Sequence, residues 1–165
     1  MAAGVTYDAI KTYTFATNGT TLSWTSIPNT YTDLVLIAYV KNTAGNNYEA
    51  FITYNGDSGA NYSQSFVLNY NAALQAGQNL NINQIRPIKS GAAQWSSNQI
   101  NIMDYAATNK YKTSIGRTGD GTFATWLGNG MWMSTSAINR IDITAESGSS
   151  FVAGTKFDLY GIASA

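Results

Sequence analysis

Apolar and polar residues alternate along much of this chain. Ile141 and Ile143 point one way while Arg140, Asp142 and Thr144 point the other. Phe157, Leu159 and Gly161 oppose Lys156, Asp158 and Tyr160, and Ile100 and Ile102 flank Asn101. A period of two belongs to a β-strand with one wet face. The inward set this pattern predicts is Leu34, Leu36, Ile100, Ile102, Ile141, Ile143, Phe157 and Leu159. The run Leu34-Val35-Leu36-Ile37-Ala38-Tyr39-Val40 is apolar throughout. It predicts a central strand covered on both faces. Turn chemistry such as Asn18-Gly19, Asn55-Gly56-Asp57 and Gly128-Asn129-Gly130 punctuates the chain about every ten residues.

Strands are expected near 8–16, 20–26, 32–41, 48–54, 62–70, 82–88, 97–105, 110–117, 123–133 with a break, 136–145 and 155–163. A short helical turn is expected near Asn71–Ala76. Short strands, regular turns and no helical period predict an all-β fold. The expected architecture is a two-sheet antiparallel jelly-roll sandwich of about ten strands. The 165 residues make one domain, 1–165, with a short N-terminal arm over about 1–8. Ala2, Ala3 and Gly4 demand no fixed conformation there.

Composition narrows the chemistry. Charged residues are only 11% of the chain, and nine basic residues balance nine acidic ones. Polarity comes instead from uncharged residues, above all 19 Thr and 17 Asn. Zero net charge without a basic stripe argues against nucleic acid as a partner. With no Cys and no His, thiolate nucleophiles, Ser-His pairs and the usual zinc ligands drop out. The longest apolar run is far short of the 20 or so residues that cross a bilayer, so no membrane is expected. The N-terminal residues carry no basic or apolar leader pattern, and synthesis in a cytoplasm is expected.

Carboxylates alone can hydrolyse glycosides, but no pair among the nine acids is singled out by spacing. No enzyme is expected. Gly119-Asp120-Gly121-Thr122-Phe123-Ala124 matches G-x-G-x-x-A, yet no helix can follow it, so it reads as a hairpin loop. Asn55-Gly56-Asp57-Ser58-Gly59 offers oxygen ligands without the closing Glu of an EF-hand. No metal and no cofactor are expected.

The aromatics carry more weight. Trp24, Trp95, Trp126 and Trp132, with Tyr48, Tyr54, Tyr62, Tyr70, Tyr105 and Tyr111, suit either a sugar-stacking platform or core and subunit contacts. Residues Trp126 to Met133 form the densest apolar cluster outside the Leu34–Val40 run. Gly128 and Gly130 within it suggest a backbone too flexible for a core strand, and methionines suit protein packing. Trp126, Leu127, Met131, Trp132 and Met133 are therefore candidates for a protein interface. Ala2, Ala3, Val5 and Tyr7 of the arm join them.

These residues also carry a resemblance. Trp24-Thr25-Ser26-Ile27-Pro28-Asn29-Thr30-Tyr31-Thr32-Asp33-Leu34-Val35-Leu36 resembles a segment of structural proteins of tailed bacteriophages, particularly those of marine bacteria and cyanobacteria. Asn55-Gly56-Asp57-Ser58-Gly59-Ala60-Asn61-Tyr62-Ser63 is similar to a second element of that family, and Asn98–Lys112 to a third. Ser136–Ile143 and Phe151–Ile162 resemble its closing strands. The resemblance implies a bacteriophage virion protein, a capsid decoration (cement) protein that binds and stabilises the assembled shell. It implies a homotrimer seated on the phage major capsid protein at the outer capsid surface. The same module recurs in tail and fibre proteins, so a receptor-binding or carbohydrate-binding module with a host-surface glycan partner is the alternative.

Overall fold

The computed structural model describes residues 6–44, 48–70, 72–91, 94–119 and 124–163. Twelve strands and no helix occur among these residues. In chain order they are β1 (Tyr7–Thr14), β2 (Thr21–Trp24), β3 (Asp33–Val40), β4 (Tyr48–Tyr54), β5 (Tyr62–Tyr70) and β6 (Ala73–Ile82). Then follow β7 (Ile85–Ser90), β8 (Ser96–Met103), β9 (Lys112–Gly119), β10 (Ala124–Trp132), β11 (Ile141–Ala145) and β12 (Lys156–Ile162). They form two antiparallel sheets. One is eight strands wide, in the order β1-β12-β3-β8-β9-β10-β5-β6. The other has four, β2-β11-β4-β7.

Eight of these strands make a jelly roll. β1, β12, β3 and β8 lie in one layer, and β2, β11, β4 and β7 in the other. Chain neighbours β1 and β2, β3 and β4, β7 and β8, and β11 and β12 thus fall in opposite layers, the rolled double Greek key of that architecture. Two hairpins are inserted into it: β5–β6 between β4 and β7, and β9–β10 between β8 and β11. They join through β10 and β5 and widen the first sheet beyond β8.

The core lies between the layers. Leu36 sits opposite both Leu159 and Ile100, and Ile143 opposite both Leu22 and Ile52. All eight residues of the expected inward set are fully buried. The two-residue period is therefore read correctly at these eight positions.

The pattern misleads elsewhere. β3 is covered on its inner face only: Ile37 and Tyr39 are exposed on the other side, and Val35 alone is buried there. Its outer face lies beyond the reach of any second layer. Of the helical turn expected at Asn71–Ala76, Asn71 lies outside the described residues and Ala73–Ala76 are strand instead. β5 reverses so that Tyr70 pairs with Ala73, and β6 then runs along β5 to Ile82. Backbone pairing with β5 overrides the weak β-propensity of its Ala, Gln and Asn residues. Tyr7 and Asp8, expected in the arm, pair with Ile162 and Gly161 as the start of β1. Residues 1–5 lie outside the described residues.

β10 departs most from expectation. It is one unbroken strand, paired with β5 and β9 along its whole length. Gly128 and Gly130 are there for close approach. A Cβ on Gly128 would sit 2.6 Å from the Ser65 carbonyl oxygen and 2.6 Å from the Trp126 ring. One on Gly130 would press on Ile85 and Ser114 at 3.0 Å. Gly128→Ala is thus expected to lower stability by about 1–3 kcal/mol through overpacking. Urea unfolding checks this, and wild-type stability in the variant would show that the sheet yields.

Candidate binding face

The outward face of the eight-stranded sheet is a broad surface, eight strands wide. Cross-strand register arranges it in rows. One row runs Ile37, Gln99, Arg117, Leu127, Val67, Ala76. The next runs Val35, Asn101, Ile115, Asn129, Ser65, Gln78. A third runs Tyr39, Ser97, Gly119, Thr125, Asn69, Leu74. Among the described residues, eleven large hydrophobic side chains are exposed, and nine stand on this face: Tyr7, Ile37, Tyr39, Val67, Leu74, Leu80, Met103, Ile115 and Leu127. Such clustering of apolar side chains marks an interaction surface far better than their number does.

Polar groups on this face are organised too. Arg117 donates to Gln99 Oε1 at 2.8 Å, and Gln99 donates to Asn101 Oδ1 at 3.1 Å. Asn129 Oδ1 accepts from the Ser65 hydroxyl at 2.5 Å and its N–H at 3.2 Å. Arg117 is the one charged side chain in the three rows. Three adjoining depressions follow the middle row. The first, about 460 Å³, is lined by Ile37, Gln99, Arg117 and Thr125. The second, about 350 Å³, lies between Asn101, Ile115 and Leu127. The third, about 430 Å³, lies among Val67, Ala76 and Leu127. Apolar side chains, neutral amides and one guanidinium can grip a neutral partner surface. Among the described residues lining these depressions, none is His, Cys, Lys, Asp or Glu.

Three candidates from the 126–133 cluster and the arm land on this face. Leu127 is 57% exposed and Tyr7 51% exposed. Met131 is half-buried, opposite Thr113 and Ser63. Met133 is half-buried just past β10, its N–H bonded to the Asn61 carbonyl at 2.7 Å. Trp126 and Trp132 are core residues, 2% and 3% exposed, which corrects their reading as interface anchors. In a strand with Leu127 facing out, residues 126 and 132 must face in. Ala2, Ala3 and Val5 lie outside the described residues. Ile115, Arg117 and Gln99 were missed. Polarity in β9 carried no signal for them: exposed Thr113, Ile115 and Arg117 alternate with buried Lys112, Ser114, Gly116 and Thr118.

The sugar platform does not assemble as expected. Trp24, Trp126, Trp132, Tyr54, Tyr62 and Tyr105 are all buried. Tyr111 is exposed, and Tyr48, Tyr70 and Trp95 are half-buried; of these, Trp95 meets another ring on the outward face. Its ring stacks on Tyr39 at 4.9 Å and 8°, beside the first depression.

The Asn55–Ser63 element is a structural clamp. Asp57 Oδ2 accepts from the Trp132 indole at 2.7 Å, and Oδ1 accepts from the Gly59 N–H at 2.8 Å. Asn61 donates to both oxygens. These bonds, the indole first, hold the Asp57 carboxyl below the usual carboxylate range. The carboxylate is thus engaged by internal donors.

One cluster of ionisable groups lies on the smaller sheet. Glu49 touches Lys89, faces Arg86 at 3.4 Å, and its N–H bonds Glu146 at 3.1 Å. Burial pushes the Lys89 ammonium down to about 8, against the pull of Glu146. Its ordinary value is 10.5, so the unfolded chain binds the extra proton between those limits. Burial of the charge costs stability below pH 8, and the cost fades as pH rises towards 10.5. Relative to Lys89→Met, wild type should gain on the order of 2–3 kcal/mol across that window. Glu49→Gln should cost about 3 kcal/mol at neutral pH, because it strands the buried ammonium. Denaturant melts at stepped pH read both; a flat difference between wild type and Lys89→Met would refute the assignment.

No protein-family model matches the chain, and no curated protein matches it. Among solved structures it is similar to the marine PL-14 alginate lyase from Aplysia kurodai, with 12% identity and a TM-score of 0.34 over 82% of this chain and 72% of that one. It is also similar to the native heptameric SAP-like pentraxin from Limulus polyphemus, with 13% identity and a TM-score of 0.32 over 90% and 67%. Likenesses of this size transfer neither activity nor partner.

Proposed function

We propose that this protein is a bacteriophage virion component that decorates the capsid shell, with the outward face of its wide sheet seated on the major capsid protein. One observation carries the reading: the exposed apolar side chains gather on one broad face, along rows from β3 to β6 whose one charged side chain is Arg117, instead of scattering. Such a face suits adhesion to a large protein surface, where apolar anchors supply energy and neutral amides supply register. The resemblance to phage structural proteins points the same way. Its segments fall on strands β2–β3, β8, β11 and β12 and on the Asp57 clamp, the parts that make the sandwich stiff. A stiff bridge bound only to the assembled shell stabilises it by mass action. Three copies around a local three-fold axis of the lattice fit this role.

The second reading, a glycan-binding tail module, is favoured by the Tyr39–Trp95 stack beside the first depression. Purified protein added to bare shells decides between them. Wild type should saturate shells in many copies, and Leu127→Asp with Ile115→Asp should weaken binding at least tenfold, as loss of central anchors does. Both side chains are exposed, so the melting midpoint should stay near wild type. Density at the tail, or unchanged shell binding by the double variant, would reject the capsid assignment.

A further inference from the structure

The two sheets have four edges, and three are protected. β1 carries Asp8 and Lys11, β2 is four residues long, and β7 carries Arg86, Pro87 and Lys89. β6 differs. It is ten residues long, has no charge and no proline, and is exposed over most of its length. It pairs with β5 on one side and ends the sheet on the other. Charges, proline and short length are the usual guards against pairing with another chain, and β6 has none of them.

β6 is also nearly a palindrome about Gly77. Antiparallel pairing with a second copy, Gly77 opposite Gly77, sets Leu74 opposite Leu80, Gln75 opposite Asn79, and Ala76 opposite Gln78. Leu74 is 78% exposed and Leu80 59% exposed, large fractions for leucine on a strand. They share a face, being six residues apart. In this register each covers the other's counterpart, and the Gln75 amide meets the Asn79 amide. Directly opposed apolar pairs are what stabilise strand pairing. Asn81, at φ 53°, breaks the regular pairing just beyond Leu80, so the complementary stretch ends where the strand does.

We propose that β6 is a self-association edge: two copies join antiparallel about a two-fold axis at Gly77, making one continuous sheet. The occupant is a second copy because self-pairing satisfies the edge's backbone groups and both leucines at once. A two-fold contact is isologous and closes on itself. It is independent of the capsid reading, and on a shell it would link copies of neighbouring three-fold clusters. A single strand pair buries less than the roughly 1,000 Å² of a stable interface, so the dimer is weak, with a micromolar or higher Kd.

Sedimentation equilibrium from micromolar to about millimolar protein tests this. Wild type should approach twice 17.7 kDa. Leu74→Lys with Leu80→Lys should weaken dimerisation about tenfold or more, since like charges meet twice. Leu74→Lys with Leu80→Glu should restore it, because each lysine then meets the other copy's glutamate. Amide exchange of wild-type residues 74–80 should slow as concentration rises, a readout that needs no variant. A monomer or a trimer at every concentration would overturn the proposal. So would an undiminished double-lysine dimer, a charge-swapped variant that stays monomeric, or 74–80 exchange that ignores concentration.

Discussion

Trp132 holds the two parts of this molecule together. It lies on β10, in the hairpin pair that widens the sheet. Its ring stacks on Tyr62 of β5 at 6.3 Å and packs on Tyr54 of β4, in the opposite layer, at 5.7 Å. The indole N–H is fixed by Asp57, and the Tyr62 hydroxyl accepts from the Tyr54 N–H at 3.0 Å. Three large rings, with the bonded tips of Trp132 and Tyr62, thus join the inserted hairpins to the jelly roll. Burying aromatic surface supplies energy without direction. The bonded tips supply the direction.

Everything else follows from layers of unequal width. Four strands cannot cover eight. Where the smaller sheet stops, the inner face of the wide sheet needs its own cover. Trp126, Leu68 and Ala124, with Phe66 and Tyr70, make a second small core there. Glycines let the rings lie flat: a Cβ on Gly77 would meet the Phe66 ring at 2.7 Å. The overhang ends in β6, whose exposed edge needs some other partner for its backbone groups. On the outward side no layer exists, so apolar residues that a second layer would bury stand free.

Polar groups inside follow the rule that burial requires partners. Lys112 is 1% exposed, yet its ammonium donates to the Lys110 and Thr135 carbonyls at 2.9 and 3.2 Å. Asp142, expected on a wet strand face, is 8% exposed and held by Arg140 at 2.9 Å and the Ser23 hydroxyl at 2.5 Å. The lengths of these side chains decide the outcome, since each reaches a partner without leaving its strand. On the proposed docking surface, Lys156 and Asp158 of β12 neutralise each other at 2.8 Å, and Arg117 is the one charge in the rows beyond them.

The amino-acid sequence by itself determined the fold class. Alternation at Ile141/Ile143 and Phe157/Leu159 is a property of the pleat, and every residue it assigned to the interior is there. It also placed Leu127 and Tyr7 among surface candidates. It could not settle what Gly128 and Gly130 do, since flexible loops and crowded strands both call for glycine, and only the position of Ser65 and Ile85 separates the two. Nor could it tell that β9 hides Ser114 and Thr118 while showing Ile115. Inside and outside are not properties of a residue but of which face a second layer happens to cover. The width of that layer is set by pairings between residues far apart in the chain, such as Trp132 with Tyr62, and these exist only once the sheets have closed.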